Sequence, residues 1–238
     1  MTKKIVFSFL CFLSIIGLSD CKTEGVDIEQ FRDEPAIVRF DNNQSMIETR
    51  GGLFLTDAVF LGLKDGDLLW TDFEIDRNHQ PHSDIMKVSN LQYLQIYSTV
   101  ARLGSDDEPA DSEYDQIDYM FPDIKNIGNM LFFWFIHSNV PQEQTYSYEM
   151  LYDDPEIISD TPTLFIRAKK TNASSSTNLV DLPTCYGFDM TSYIELYKIR
   201  VPNSDYILFY IMFYAGENED GKAIYMYLNN SPIKWTIN

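Results

Sequence analysis

From Ala36 onward the chain is written in short apolar runs separated by turn residues. Ile37-Val38-Arg39-Phe40, Gly52-Leu53-Phe54-Leu55 and Leu68 to Ile75 are strand candidates. In the third, Trp70, Phe73 and Ile75 interleave with Asp72, Glu74 and Asp76, the alternation of a strand with one dry face. Lys64-Asp65-Gly66-Asp67 introduces it, because glycine accepts the positive φ that such a turn requires. Leu91 to Leu103 reads as one or two further strands. The pattern over 36–103 predicts a small β-barrel of about five strands, within a first domain expected to run over 36–118.

The pattern changes in the second half. Leu131-Phe132-Phe133-Trp134-Phe135-Ile136 is apolar on both faces, which places it centrally in a sandwich with Trp134 in the core. His137 follows, at the predicted strand end. Tyr146–Leu151, Thr163–Ala168, Tyr206–Tyr214 and Ala223–Leu228 are further strand candidates, and Asn218-Glu219-Asp220-Gly221 is a hairpin signal between the last two. Asp189 to Lys198 suits one short helix, capped by Thr191 or Ser192. Residues 119–238 are therefore expected to form an antiparallel β-sandwich, and the whole chain an all-β fold.

The N-terminus is of another kind. Lys3 and Lys4 precede an apolar run from Ile5 to Leu18, too short to span a membrane permanently, so residues 1–20 read as a signal peptide. Leu18-Ser19-Asp20-Cys21 resembles a bacterial lipobox, and the resemblance implies lipidation of Cys21. Asp20 departs from that pattern, which favours a small residue before the cysteine. Residues 21–35 are charged, poor in large apolar side chains and end in Pro35, the composition of a tether. Residues 104–118, with acidic side chains from Asp106 to Asp118, read as a solvated loop or linker between two folding units.

Composition limits the partners. Removal of residues 1–20 takes away Lys3, Lys4 and Asp20, so 18 basic and 36 acidic side chains become 16 and 35, a formal charge of −19. So acidic a surface repels phosphate backbones and anionic headgroups, which excludes nucleic acid and leaves the N-terminal lipid as the membrane attachment. With Cys11 in the signal and Cys21 acylated, Cys185 has no disulfide partner and reads as a buried small hydrophobe.

Catalytic signatures are few. His79 and His82, flanked by Asp76 and Asp84, could form a surface metal site, but Pro81 and its polar neighbours mark an ordinary solvated loop. The acidic stretch at 106–118 lacks the spacing and central glycine of a calcium loop. No nucleophile elbow or phosphate loop occurs, so neither a catalytic residue nor a cofactor is assigned. Tyr146, Tyr148 and Tyr152, and Tyr206, Tyr210 and Tyr214, recur at strand spacing; they fill the sandwich and its rim, or they form a sugar-stacking surface.

In order along the chain, Cys21, Gly51 to Asp57, Gly66-Asp67 followed by Leu68 to Ile75, Leu131 to Ile136, Leu164-Phe165-Ile166-Arg167 and Gly187-Phe188-Asp189-Met190 resemble the NigD-like lipoproteins of Bacteroidetes. That resemblance implies an OB-like domain followed by a β-sandwich. It also implies a non-enzymatic, lipid-anchored protein of the cell envelope, at the outer membrane's periplasmic face or at the cell surface. Its work would be protein interaction or a function related to bacteriocin immunity. A surface glycan-binding lipoprotein is the alternative, so the expected partner is an envelope protein or a glycan.

Overall fold

The computed structural model describes residues 27–41, 44–80, 85–104, 110–152, 161–172 and 174–236. The signal peptide and Cys21 lie outside the described residues. Strands β1 (Ile28–Asp41), β2 (Gln44–Thr49), β3 (Gly52–Thr56), β4 (Leu68–Asp76) and β5 (Lys87–Val100) realise the first alternating pattern. They pair in the order β3-β2-β1-β4-β5, and β3 meets β5 in parallel through Leu55 with Lys87 and Thr56 with Val88. That last pairing closes the five strands into a barrel, which removes sheet edges. Ala36 and Val38 of β1, Ile47 of β2, Phe54 of β3 and Leu69, Phe73 and Ile75 of β4 fill it. Gly66 turns at φ +90° ahead of β4, and its N–H donates to the Val38 carbonyl.

The expected tether gives way to strand sooner than its composition implies. Residues 28–35 are the first part of β1 and pair with β4 from Ile28–Asp76 to Pro35–Trp70. Phe31 stacks on Phe73 with ring centroids 4.7 Å apart. The charges meet partners brought by other strands: Glu29 with Arg77, Arg32 with Asp72 at 3.3 Å, and Glu34 with Lys125 at 3.1 Å. A segment unable to fold alone is held by what it pairs with.

The second half contributes β6 (Arg102–Leu103), β7 (Tyr119–Met120), β8 (Lys125–Ile127), β9 (Met130–Pro141), β10 (Tyr146–Tyr152), β11 (Thr163–Lys170), β12 (Leu179–Asp189), α1 (Thr191–Arg200), β13 (Tyr206–Glu217), β14 (Ala223–Tyr227) and β15 (Ile233–Thr236). One sheet runs β14-β13-β11-β10-β6, with β15 also on β13. The facing layer is β12-β9-β7, with β8 on β9. This layer is continuous with the barrel, because Tyr97 to Val100 of β5 pair in parallel with Tyr186 to Asp189 of β12. Ala101 and Ile117, from the stretch expected to end the barrel domain, are buried in the sandwich core. The helix begins at Thr191, whose N–H and hydroxyl both donate to Asp189 Oδ1, at 2.9 and 2.6 Å.

Alternation along β9 explains its two apolar faces. Leu131, Phe133 and Phe135 point into the sandwich core with Phe188, Ile166 and Phe209. Phe132 and Trp134 point the other way, onto Ile37, Leu68, Trp70 and Ile96 on the outside of the barrel. Trp134 therefore lies in the junction between barrel and sandwich, partly buried, rather than in the sandwich core. Gly187 lets the two parts approach: a Cβ there would meet Leu68 Cδ1 at 2.8 Å and Met130 Cε at 3.2 Å.

Candidate functional site

At the open side of the sandwich, β10 is the edge strand along most of its length. Among the described residues only Leu151 and Tyr152 are covered, by β6. Beside the uncovered part, a recess of about 390 Å³ separates β10 from the β5–β12 pair. Tyr148 and Tyr186, both buried, form its floor. The Tyr186 hydroxyl faces the Tyr148 backbone across the strand edge. Thr99 of β5 lines the near wall, and Tyr97, two residues earlier on the same strand face and the register partner of Tyr186, stands 75% exposed outside the lining.

The far wall is polar. Glu149 of β10 and Arg167 of β11 are cross-strand partners. Arg102 Nη2 donates to Glu149 Oε2 at 2.8 Å, and Arg167 Nη1 lies 4.0 Å from Glu149 Oε1. The Tyr114 ring lies over the Arg167 guanidinium, 4.9 Å from Cζ. Its hydroxyl lies by Glu149 and Arg167, and burial, together with Glu149, pushes that phenol up to about 12. Arg167 Nε donates to the Tyr225 hydroxyl at 2.9 Å, which donates onward to Asp111 at 2.7 Å.

This arrangement alters the reading of the acidic stretch. Asp106, Asp107 and Glu108 lie outside the described residues. Asp111, Glu113 and Asp115, however, are not a solvated loop: they face Arg167, Lys169 and Lys170 at 3.2, 3.5 and 3.2 Å. Asp118 accepts the Ser138 N–H, and Ile117 is fully buried. The segment straps the β11 end of the second sheet through its alternate carboxylates.

The other candidates divide. His79 Nδ1 lies 2.8 Å from Asp76 Oδ2 on the surface, while His82 and Asp84 lie outside the described residues. Among the described residues no three His, Cys, Asp or Glu side chains converge as a metal site. His137 is not at a strand end but inside β9 and buried; it spans the Gln116 carbonyl at 2.7 Å and the Tyr148 hydroxyl at 3.0 Å and stacks on Tyr146. Burial holds its imidazole below the usual 6.5. Cys185 is buried at the junction, and burial pushes its thiol well up.

Among the tyrosines, Tyr148, Tyr152 and Tyr214 are buried. Tyr206 and Tyr210 alternate with buried Ile207, Phe209 and Ile211 and so face outward; Tyr206 lies under Lys234, and Tyr210 packs edge to face with Tyr227 at 5.5 Å. The recess residues Arg102, Tyr114, Glu149 and Arg167 carry no spacing signal in sequence, because they come from four separate segments.

No family model matches this chain, and no curated protein matches it. Solved structures do. A NigD-like immunity protein from Bacteroides caccae aligns with a TM-score of 0.55 at 12% identity, covering 90% of this chain and 99% of its own. A candidate lipoprotein from Bacteroides fragilis gives a TM-score of 0.55 at 12% identity, covering 87% and 95%. An uncharacterised protein from Parabacteroides merdae gives 0.62 at 13% identity, covering 86% and 98%. The chain has the fold of these proteins from end to end of the described barrel and sandwich, and the NigD-like resemblance in its sequence is matched in three dimensions. Two of these structures carry names of immunity or lipoprotein type, and the third is uncharacterised; none is named as an enzyme.

Proposed function

We propose that this is a lipid-anchored, non-catalytic protein of the cell envelope, of the NigD-like type, whose work is binding another envelope component. The observation that carries the reading is the near-complete shared fold with a NigD-like immunity protein and a candidate lipoprotein. A lipobox-like Cys21 behind a short apolar signal agrees with it. The described polar clusters are engaged with one another in ways that build structure: His137 bridges Gln116 and Tyr148, and Arg167 bridges Glu149, Asp111 and Tyr225. Two acyl chains on Cys21 would suffice for stable attachment, at about 0.8 kcal/mol per buried methylene.

The test is fractionation of cells expressing the protein and its Cys21→Ser variant, with a labelled fatty acid. The expected result is that the natural protein carries label and partitions into detergent, while the variant carries none and is released. A variant that still partitions with detergent and carries label would overturn the anchoring. Crosslinking in the native envelope then identifies the component bound.

A further inference from the structure

We infer that the recess between β10 and the β5–β12 pair is a binding site for an uncharged sugar, with Tyr97 as the ring on which the sugar stacks. Charge balance is the first ground. Each cation of the wall already faces a carboxylate: Arg102 faces Glu149, Arg167 faces Asp111 and Glu149, and Lys169 faces Glu113. A site so balanced, on a chain of formal charge −18, offers an anion no net attraction. Its polar wall equally disfavours an apolar peptide, whose burial would leave those groups unmatched. What the wall does present is donors beside acceptors: guanidinium N–H from Arg102 and Arg167, the Glu149 carboxylate, and the Ser147 hydroxyl. A pair of neighbouring sugar hydroxyls, each able to donate and accept, matches that alternation without bringing charge.

Aromatic placement is the second ground. Sugar rings carry apolar C–H faces that pack on aromatic rings. Tyr97 is 75% exposed, packs into none of the three core clusters, and is the register partner of recess-lining Tyr186 on the strand face that also carries Thr99. Tyr114 closes the opposite rim, fixed by its stack on Arg167. The space, about 390 Å³, admits a monosaccharide unit with its first-shell water, and its open mouth leaves room for a chain to continue.

Affinity electrophoresis of the full-length protein in detergent tests this, through gels containing mannan, laminarin, xyloglucan, galactomannan or dextran, with polygalacturonate as the charged comparison. At least one neutral polysaccharide is expected to retard the protein. Tyr97→Ala should weaken that binding at least tenfold without moving the melting temperature, since the ring is mostly in water, and Arg102→Gln should weaken it similarly. Absence of retardation in every neutral gel overturns the proposal, as does retardation by polygalacturonate alone. Binding that survives Tyr97→Ala but is lost in Tyr227→Ala would move the sugar to the outer face of the second sheet and overturn the recess. Since anchoring is read by fractionation and sugar binding by mobility, either can fail without the other.

Discussion

Trp70 of β4 and Trp134 of β9 meet edge to face across the junction, with centroids 5.0 Å apart and planes at 86°. One ring belongs to the barrel and the other to the sandwich, and Lys125 Nζ lies 5.4 Å from the Trp70 centroid. Together with the shared β5–β12 pairing, this contact packs the two halves against each other.

Trp134→Ala is accordingly expected to cost less than Phe133→Ala. Phe133 is fully buried in the sandwich, and its truncation should cost about 3–5 kcal/mol; the half-buried Trp134 should cost roughly half that. Urea unfolding followed by circular dichroism and by tryptophan fluorescence should give one coincident transition in the natural protein. Separate transitions for the two probes would mean that the junction does not couple the halves.

Stability should fall on acidification through His137. Because its folded pKa lies below 6.5, its contribution is complete above that value. Below it the unfolded chain takes up a proton that the buried imidazole refuses, at up to about 1.4 kcal/mol per pH unit. Burial outweighs the opposing pull of the Gln116 carbonyl and of Asp118 and Asp115. Urea midpoints between pH 7.5 and 5.5 should decline, and the decline should be shallower in His137→Gln; an equal slope in both would remove His137 as its source.

Arg167→Met should destabilise by about 2–3 kcal/mol, because it strands Glu149 and Asp111 near a side chain that is 13% exposed. Combining it with Asp111→Asn should cost less than the sum of the two changes. Strict additivity, measured by urea titration of all four forms, would show that the pair is not coupled.

Cys185 should resist thiol reagents in the native state. It is 6% exposed within the junction cluster, and burial disfavours its thiolate. In Cys21→Ser protein cleared of its signal it is the sole thiol, and its labelling rate should rise with urea in step with global unfolding. Fast labelling in native buffer would show that barrel and sandwich separate locally.

Much of the fold is legible where a local rule decides it: the Gly66 turn, the Asn218–Gly221 hairpin with Gly221 at φ +72°, the helix after Asp189 and the doubly apolar β9. What is not legible depends on partners distant in sequence. Charges at 29–34 read as solvated until Arg77, Asp72 and Lys125 are seen to face them. The carboxylates of Asp111, Glu113 and Asp115 read as a linker until β11 brings up its cations. Trp134 could be assigned to a dry face but not to which one, since alternation separates two faces without naming the layer each meets. The recess is hidden for the same reason: Tyr97, Arg102, Glu149 and Arg167 converge only after β10 and β5 are brought side by side.

The doubly apolar β9 also sets an order of events during synthesis. The barrel strands emerge first, and Leu68, Trp70 and Ile96 then present a bare apolar surface on the outside of an otherwise closed barrel. That surface stays wet until Phe132 and Trp134 emerge and Cys185 follows much later on β12. The nascent chain thus passes through a stage in which a closed barrel carries a sticky flank, and the Tyr97 to Val100 end of β5, beyond the reach of β3 and β4, waits unpaired until β12 arrives to cover both.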